Sequence, residues 1–180
     1  MSKNATKNAA PKVAPHIRWM IRRDMPEVVA IEQGSFANPW SEDDFIRCLR
    51  QRNCIGMVAI DPRTESVMGH MVYELHKDRL HLLNIAVKSD CRRMGIGRAM
   101  LDKLKGKLCF NRRRRLLLEC ADWNLRGHLF FRSCGLNATR IIRDWYSENG
   151  DGVFDTDAYE FVYDLADDGS RRPTVAEAVL

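Results

Sequence analysis

Arginine and glycine residues are spaced in one short segment so that they could bind an anion. The segment reads Arg92-Arg-Met-Gly95-Ile-Gly97-Arg98 and follows an apolar run that predicts a buried strand. Glycines let a ligand approach the backbone closely, and the first N–H groups of a helix have no intrahelical partner. With three arginines beside them, these features suit a pyrophosphate group. A purely structural glycine turn remains the alternative, but the arginines favour the binding interpretation.

The glycine patterns of other nucleotide sites are missing. Neither G-x-G-x-x-G nor G-x-x-x-x-G-K-[ST] occurs in the chain. Nucleotide binding in the Rossmann or P-loop manner is therefore disfavoured.

Histidine and cysteine side chains offer two further kinds of chemistry. His70, His76 and His81 fall on neighbouring predicted strands, but the sequence shows no Asp, Glu or Cys at ligand spacing beside them, so we expect no metal site. Cys120 could act as the nucleophile of a ping-pong transfer. Side chains alternate along a strand, however, and this favours a thiol that packs in the core.

The composition is that of an ordinary globular domain with a basic excess. The 180 residues include 29 Lys and Arg against 24 Asp and Glu, with a pI near 9.0. No apolar run reaches the roughly 18–20 residues of a membrane span, and the N-terminus lacks the apolar stretch of a signal peptide. The six cysteines are scattered, which indicates a reducing compartment. We therefore expect a cytoplasmic protein without membrane contact.

Charge is distributed unevenly along the chain. Residues 88–115 hold eleven basic and two acidic side chains, whereas residues 144–168 hold nine acidic ones and no Lys or Arg. Solvated faces would explain both runs, and the alternative is a protein that binds a polyanion at one place and a cation at another. Arg112–Arg115 could contact RNA, but a solvated turn between a helix and a strand is favoured, so nucleic-acid binding is not expected.

Hydrophobic periodicity predicts one mixed α/β domain over residues 16–165, between a disordered tail (1–15) and a polar tail (166–180). The predicted order is β-α-α-β-β-β-α-β-α-β-β. Strands are expected at 17–22, 54–61, 66–76, 80–87, 116–121, 139–146 and 159–165, and helices from Asp24, Ser41, Gly97 and Asn124. The strand 80–87 is apolar at nearly every position, which predicts a central strand buried on both faces.

These residues resemble a known family. The element order, the Asn84-Ile-Ala-Val87 strand and the Arg92-x-x-Gly95-x-Gly97 turn are similar to GCN5-related N-acetyltransferases (GNAT). Phe36-x-x-Pro-Trp-Ser41, Leu118-Glu119 followed by Asn124, and Arg143-Asp-Trp-Tyr146 are most similar to bacterial ribosomal-protein-alanine N-acetyltransferases. The resemblance implies a GNAT-like, mostly antiparallel mixed sheet flanked by helices.

The resemblance also implies acetyl-CoA as co-substrate, and no metal. The pantetheine arm would lie along one strand, the pyrophosphate would sit on the turn, and Asn124 would contact the cofactor. The implied cofactor-binding residues are Ile85, Ala86, Val87, Arg92, Arg93, Met94, Gly95, Ile96, Gly97, Arg98 and Asn124. Loops carrying Trp40, Trp145 and Tyr146 would border the acceptor groove.

Glu119 matches the general base of such enzymes, which takes a proton from the acceptor ammonium. Without the resemblance it could equally be a solvated charge at the end of a strand. The family's general acid is a Tyr seven residues after the Asn, and this chain has Phe131 there. A phenyl ring donates no proton, so Tyr146, Tyr163 or water would have to replace it, or the thiolate leaves unassisted.

The sequence thus predicts transfer of acetyl from acetyl-CoA to a protein N-terminal α-amine, of the ribosomal-protein alanine type, by direct attack in a ternary complex. The acidic stretch from Asp144 to Asp168, with Glu148, Asp151 and Asp155, would attract a positively charged N-terminus or a basic second residue. Two alternatives stay open: an acetyltransferase for a lysine or small-molecule amine, and a non-catalytic acetyl-CoA-binding protein. The sequence does not give the oligomeric state.

Overall fold

The computed structural model describes residues 14–146 and 157–166. Strands and helices follow one another there in the predicted order. They are β1 (His16–Trp19), α1 (Met25–Gln33), α2 (Glu42–Leu49), β2 (Cys54–Ile60), β3 (Val67–Leu75), β4 (Arg79–Val87), α3 (Ile96–Lys105), β5 (Arg115–Ala121), α4 (Leu125–Ser133), β6 (Asn137–Ile142) and β7 (Ala158–Asp164).

The strands form one sheet with helices on both faces. Its order is β1-β2-β3-β4-β5-β7-β6, and every neighbouring pair is antiparallel except β4 and β5, which are parallel. Apolar side chains of α1 and α2, such as Val28 and Phe45, pack in a cluster on one face. Those of α3 and α4, such as Leu101 and Phe131, pack in a cluster on the other. The predicted mixed, mostly antiparallel sheet is confirmed.

The two central strands separate halfway along their length. Pairing between β4 and β5 runs only from Arg79–Arg115 to Leu82–Leu118, although both strands continue beyond it. The register between β3 and β4 skips Leu83 at the same point, which marks a β-bulge. Because the strands part, a gap opens in the middle of the sheet between the second halves of β4 and β5.

The bulge also corrects one prediction. Burial along β4 alternates between buried and half-buried residues, so the strand is not covered on both faces as its composition suggested. Leu80 and Leu82 pack toward α3 before the bulge, whereas Ile85 and Val87 pack there after it. The apolar run therefore forms a strand whose side-chain alternation shifts by one residue at the bulge. The second half of this strand is open to a groove.

Local signals account for the entry to α2. Ser41 caps the helix by accepting from the Asp44 N–H at 3.2 Å, and Asp44 Oδ2 accepts from the Ser41 N–H at 2.9 Å. This is a reciprocal capping box, and it fixes the chain direction out of the Phe36–Trp40 loop.

Three sequence expectations need correction here. The first predicted strand ends at Trp19 rather than Arg22, because residues 22–24 form a single 3-10 turn. The predicted strand 139–146 ends at Ile142, and Asp144 has a left-handed φ of 52° that breaks the extended path. The thiols of Cys48 and Cys54 are not scattered, since their Sγ atoms lie 2.7 Å apart.

Candidate active site

A wide groove follows the gap between β4 and β5, with a volume of about 2550 Å³. It brings together most of the residues that the sequence singled out. The predicted residues that line it are Trp40, Ile85, Ala86, Val87, Arg92, Arg93, Gly95, Ile96, Gly97, Arg98, Glu119, Asn124 and Tyr146. Met94 and Trp145 are not part of its lining: Met94 packs against the core, and Trp145 is 45% exposed.

The glycine turn has the geometry of an anion site at its end of the groove. Gly95 caps α3 with a φ of 87°, a conformation that favours glycine, and Arg93 before it also has a left-handed φ of 66°. The first N–H groups of the helix follow directly. Arg92 donates to the Val87 carbonyl at 3.0 Å, which fixes the turn against the end of β4.

Gly97 lies in a close contact between β4 and α4. A Cβ built at this position would lie 3.0 Å from Phe130 Cζ of α4 and 3.6 Å from Val87 Cγ2. Arg98 reaches the same helix, donating to the Ser133 carbonyl at 2.9 Å. The turn is therefore packed between β4 and α4, and little side-chain volume fits at its centre.

Residues 85–87 supply an open strand edge beside this turn. On one side they pair with β3, where Ile85 lies opposite Met71 and Val87 opposite Gly69. Their other side lies beyond the last paired residue of β5. Backbone N–H and C=O groups at such an edge can bind an extended amide-containing chain as an added strand.

Glu119 lies at the mouth of the gap with a side chain that is 10% exposed. Its Oε2 atom is 2.6 Å from His81 Nε2. The sheet register explains the contact, since His81 lies opposite Leu117 on β5 and Glu119 follows two residues later on the same face. The carboxylate predicted to be the base is thus bonded to an imidazole on the adjacent strand.

A second imidazole–carboxylate pair lies beside the first. His76 Nε2 is 2.9 Å from Glu74 Oε2, and the His76 and His81 ring centroids are 6.1 Å apart. Ligand atoms of Glu74, His76 and His81 all lie within 4.8 Å of one another. The expectation that these histidines lack acidic neighbours is therefore wrong: Glu74 lies two residues before His76 and opposite His81 on the paired strand, and Glu119 comes to His81 from β5. His70 is separate and buried against Glu32.

Of the two candidate tyrosines, only Tyr146 lines the groove. Tyr146 is 45% exposed, and its partial burial raises its pKa to about 12, with smaller contributions from Cys120 and the Glu119 carboxylate. Tyr163 lies under Lys105, whose Nζ is 4.6 Å from the ring centroid, on the α3 side of the sheet. Phe131 is buried against Phe161, so the position of the family's tyrosine carries no proton donor.

The Phe36–Trp40 loop is held by a buried carboxylate that the sequence did not reveal. Glu32 is 1% exposed; its Oε1 accepts from the Trp40 N–H at 3.1 Å and from Asn84 Nδ2 at 2.8 Å. Its Oε2 lies 3.1 Å from His70 Nε2. From the sequence of α1, Glu32 resembles an ordinary surface glutamate. The one available signal was its position on the helix face that carries the apolar residues Val28 and Ile31.

Asn124 and Cys120 have clear structural surroundings. Asn124 lines the groove and caps α4, its Oδ1 accepting from the Gly127 N–H at 2.9 Å. Cys120 is buried in the core, and burial raises the pKa of its thiol to about 12. At neutral pH that thiol is protonated and a poor nucleophile.

The basic run after α3 binds the protein itself. Arg113 donates to the His76 carbonyl at 2.6 Å, Arg115 pairs with Asp164 at 2.7 Å, and Arg114 stacks on Phe110 at 5.2 Å. Arg112–Arg115 therefore lies in and around a turn between α3 and β5 that is bonded to the sheet. The sequence predicted a turn between a helix and a strand at this place.

Acidic residues at the other end of the chain are also paired. Asp157 binds Arg143, and Glu160 binds Arg140 at 2.9 Å. Glu148, Asp151 and Asp155 lie outside the described residues. None of the helices described is long and apolar enough to cross a membrane.

Comparisons with known proteins point to one family of enzymes. The sequence model of the acetyltransferase (GNAT) family matches residues 15–136. The chain is 30% identical over 123 residues to the [ribosomal protein bS18]-alanine N-acetyltransferase of Escherichia coli K12, covering 68% of this chain and 81% of that one. It is 26% identical over 141 residues to the putative [ribosomal protein bS18]-alanine N-acetyltransferase of Bacillus subtilis, covering 78% and 92%.

A solved structure shows the same fold. The crystal structure of the ribosomal-protein-S18-alanine N-acetyltransferase from Escherichia coli superposes with a TM-score of 0.69 at 25% identity, covering 89% of this chain and all of that one. The glycine turn and the separated strands fall within the matched region. The chain therefore belongs to the acetyltransferase (GNAT) family and is an acetyl-CoA-dependent N-acetyltransferase.

Proposed function

We propose that the enzyme acetylates the N-terminal α-amine of a protein, of the ribosomal-protein alanine type, by direct attack within a ternary complex. The observation that carries this proposal is one groove that is lined both by the glycine turn and by the Glu119 carboxylate. Relatives named for alanine N-acetylation of ribosomal protein bS18 support the choice of acceptor.

The cofactor side of the groove would bind acetyl-CoA through backbone groups. The N–H groups at the start of α3, with Arg93 and the arginines around it, would hold the pyrophosphate. The open edge of β4 at residues 85–87 would bind the amide-containing pantetheine arm, and a backbone N–H there would polarise the thioester carbonyl. No metal is needed for this chemistry.

Glu119 would remove a proton from the acceptor ammonium, directly or through water. An ammonium has no lone pair, so the amine must be neutral before its nitrogen can attack the thioester carbon. The nitrogen then forms the C–N bond, the intermediate loses its second proton from nitrogen to water, and the C–S bond breaks with release of the thiolate. Burial of Cys120 and the raised pKa of its thiol support direct attack rather than an acyl-cysteine route.

Tyr146 is our candidate for the acid that protonates the leaving thiolate. A pKa of about 12 keeps its phenol protonated through the physiological range, and the side chain lines the groove near Glu119. Trp40 would border the acceptor from the opposite loop. Six free thiols support a reducing compartment, and we place the reaction in the cytoplasm.

A thiol-release assay tests the proposal. Peptides with N-terminal Ala, Ser or Met are compared with the same peptides blocked at the α-amine but carrying an internal lysine, and with a polyamine. We expect turnover of the free N-terminal Ala peptide and none of the blocked one. Faster turnover of the lysine or the polyamine would contradict the proposal, and binding of acetyl-CoA without turnover of any amine would identify a non-catalytic protein.

A further inference from the structure

The imidazole of His81 contacts the predicted base and is not part of the groove's lining. His81 Nε2 and Glu119 Oε2 are 2.6 Å apart, and their side chains are 17% and 10% exposed. Both side chains are thus largely withdrawn from water. A hydrogen bond to a charged group in such a setting is shorter and stronger than an ordinary one.

One proton must lie between these two atoms. Two lone pairs at 2.6 Å would repel, so when Glu119 is a carboxylate, Nε2 of His81 carries the hydrogen and donates it. The bond occupies Oε2 and leaves Oε1 as the oxygen that can accept a proton. The carboxylate is thereby fixed in one rotation relative to the groove.

We propose that His81 is a positioning residue for acetyl transfer, which holds Oε2 of Glu119 so that Oε1 faces the acceptor amine. The proposal rests on the proposed function, because it needs Glu119 to be the base. Catalytic groups give their full effect only when a neighbouring residue fixes their orientation. His81 acts through Glu119 and does not itself touch the reacting atoms.

The neighbouring pair provides a matched control. His76 is also a half-buried histidine bonded to a carboxylate, at 2.9 Å from Glu74, and its ring centroid is 6.1 Å from that of His81. His76 does not orient Glu119, since its bond goes to the carboxylate of Glu74. Replacing it changes the local charge and packing much as a change at His81 does.

Variants at position 81 separate hydrogen bonding from packing. His81→Gln places an amide donor near the position of Nε2, whereas His81→Leu has similar size and no donor. We expect His81→Leu to lower kcat about 10- to 100-fold with the KM for acetyl-CoA unchanged, and His81→Gln to stay within about fivefold of the parent. His76→Gln and His76→Leu should both retain the parent kcat.

Several outcomes would overturn the proposal. These are a parental kcat for His81→Leu, equal loss in the Leu and Gln variants, or the same loss in the His76 variants. If His81→Leu does not fold, as judged by circular dichroism, His81→Asn replaces it, because its shorter amide does not reach Glu119. Loss of parental turnover in EDTA, restored by zinc, would also overturn it in favour of a metal held by Glu74, His76 and His81.

A Glu119→Gln variant distinguishes the two levels of argument. If Glu119→Gln keeps full activity, the proposed role of the base fails and the role of His81 fails with it. If Glu119→Gln loses activity while His81→Leu keeps it, only the positioning role is wrong.

Discussion

The two ends of the groove are built in different ways. The glycine turn is made from consecutive residues, 92–98, and works mainly through backbone groups and the start of a helix. The proposed acceptor end is made from side chains on five separate elements or loops, represented by Glu32, Trp40, His81, Glu119 and Tyr146. The proposed cofactor site is thus encoded locally, whereas the proposed place of proton transfer depends on the whole sheet.

This difference sets what a substitution should do at each end. Changes at the turn alter backbone shape and should affect acetyl-CoA affinity. Changes at the acceptor end remove a side-chain function or its support and should affect turnover, acceptor binding or folding. The following predictions test that division, beginning with the largest expected effect.

Glu119→Gln should lower kcat by about 100- to 1000-fold while acetyl-CoA binding is unchanged. The amide retains the size of the side chain but cannot accept the acceptor's proton, and general-base catalysis contributes about that much. Steady-state thiol release and calorimetric titration with acetyl-CoA measure the two quantities. A matching loss of acetyl-CoA affinity would show that the two ends of the groove are not separable.

Glu32→Ala should lower the free energy of unfolding by about 3 kcal/mol. It leaves the buried polar atoms of His70, Asn84 and the Trp40 backbone without their carboxylate, and each such loss costs about 1–3 kcal/mol. Urea unfolding measures the change. Glu27→Ala is the control: this exposed carboxylate accepts a single bond, from the Val67 N–H, so a small loss is expected.

Glu32→Ala should also raise the KM for the acceptor peptide more than the KM for acetyl-CoA. The Phe36–Trp40 loop loses its bond to Glu32 in this variant, and the loop borders the proposed acceptor site. Equal changes in both constants would contradict a specific role of Glu32 at the acceptor end.

Tyr146→Phe should lower kcat about tenfold if the phenol protonates the thiolate. Because the pKa of Tyr146 is raised to about 12, its phenol stays protonated to well above pH 10. It should therefore add no alkaline limb to the pH–rate profile of the parent between pH 7 and 10. Tyr163→Phe, outside the groove, is the control and should leave kcat unchanged.

Phe131→Tyr in the Tyr146→Phe background sharpens this test. A hydroxyl restored at the family's position should recover part of the lost kcat. No recovery, with normal folding, would indicate that the buried ring at position 131 does not reach the thiolate.

Gly97→Ala should weaken acetyl-CoA binding by about threefold, the smallest effect predicted here. The new Cβ would lie 3.0 Å from Phe130 Cζ and push the turn from α4 by a few tenths of an ångström. Gly106→Ala, at the opposite end of α3, meets only backbone oxygens at 3.4 Å or more and should leave affinity unchanged. A fall in kcat rather than affinity would break the division between the two ends.

The same division explains what the sequence could predict. The order of elements, the capped helix at Ser41 and the turn at 92–98 depend on neighbouring residues, and all were predicted correctly. The burial of Glu32 depends on helix packing against the sheet, and the contact between His81 and Glu119 depends on strand register; both join residues 38 or more positions apart, which no local pattern carries. The bulge at Leu83 was missed for the same reason, because an apolar side chain fits either face of the strand.

The bulge at Leu83 also bears on how such a sheet tolerates insertions and deletions. Removing this one residue would restore regular alternation along β4 and remove the irregularity from its pairing with β3. The strand would lose the local bend and added twist of a bulge at the point where β4 separates from β5. Insertions and deletions should therefore be least tolerated in β4 during evolution.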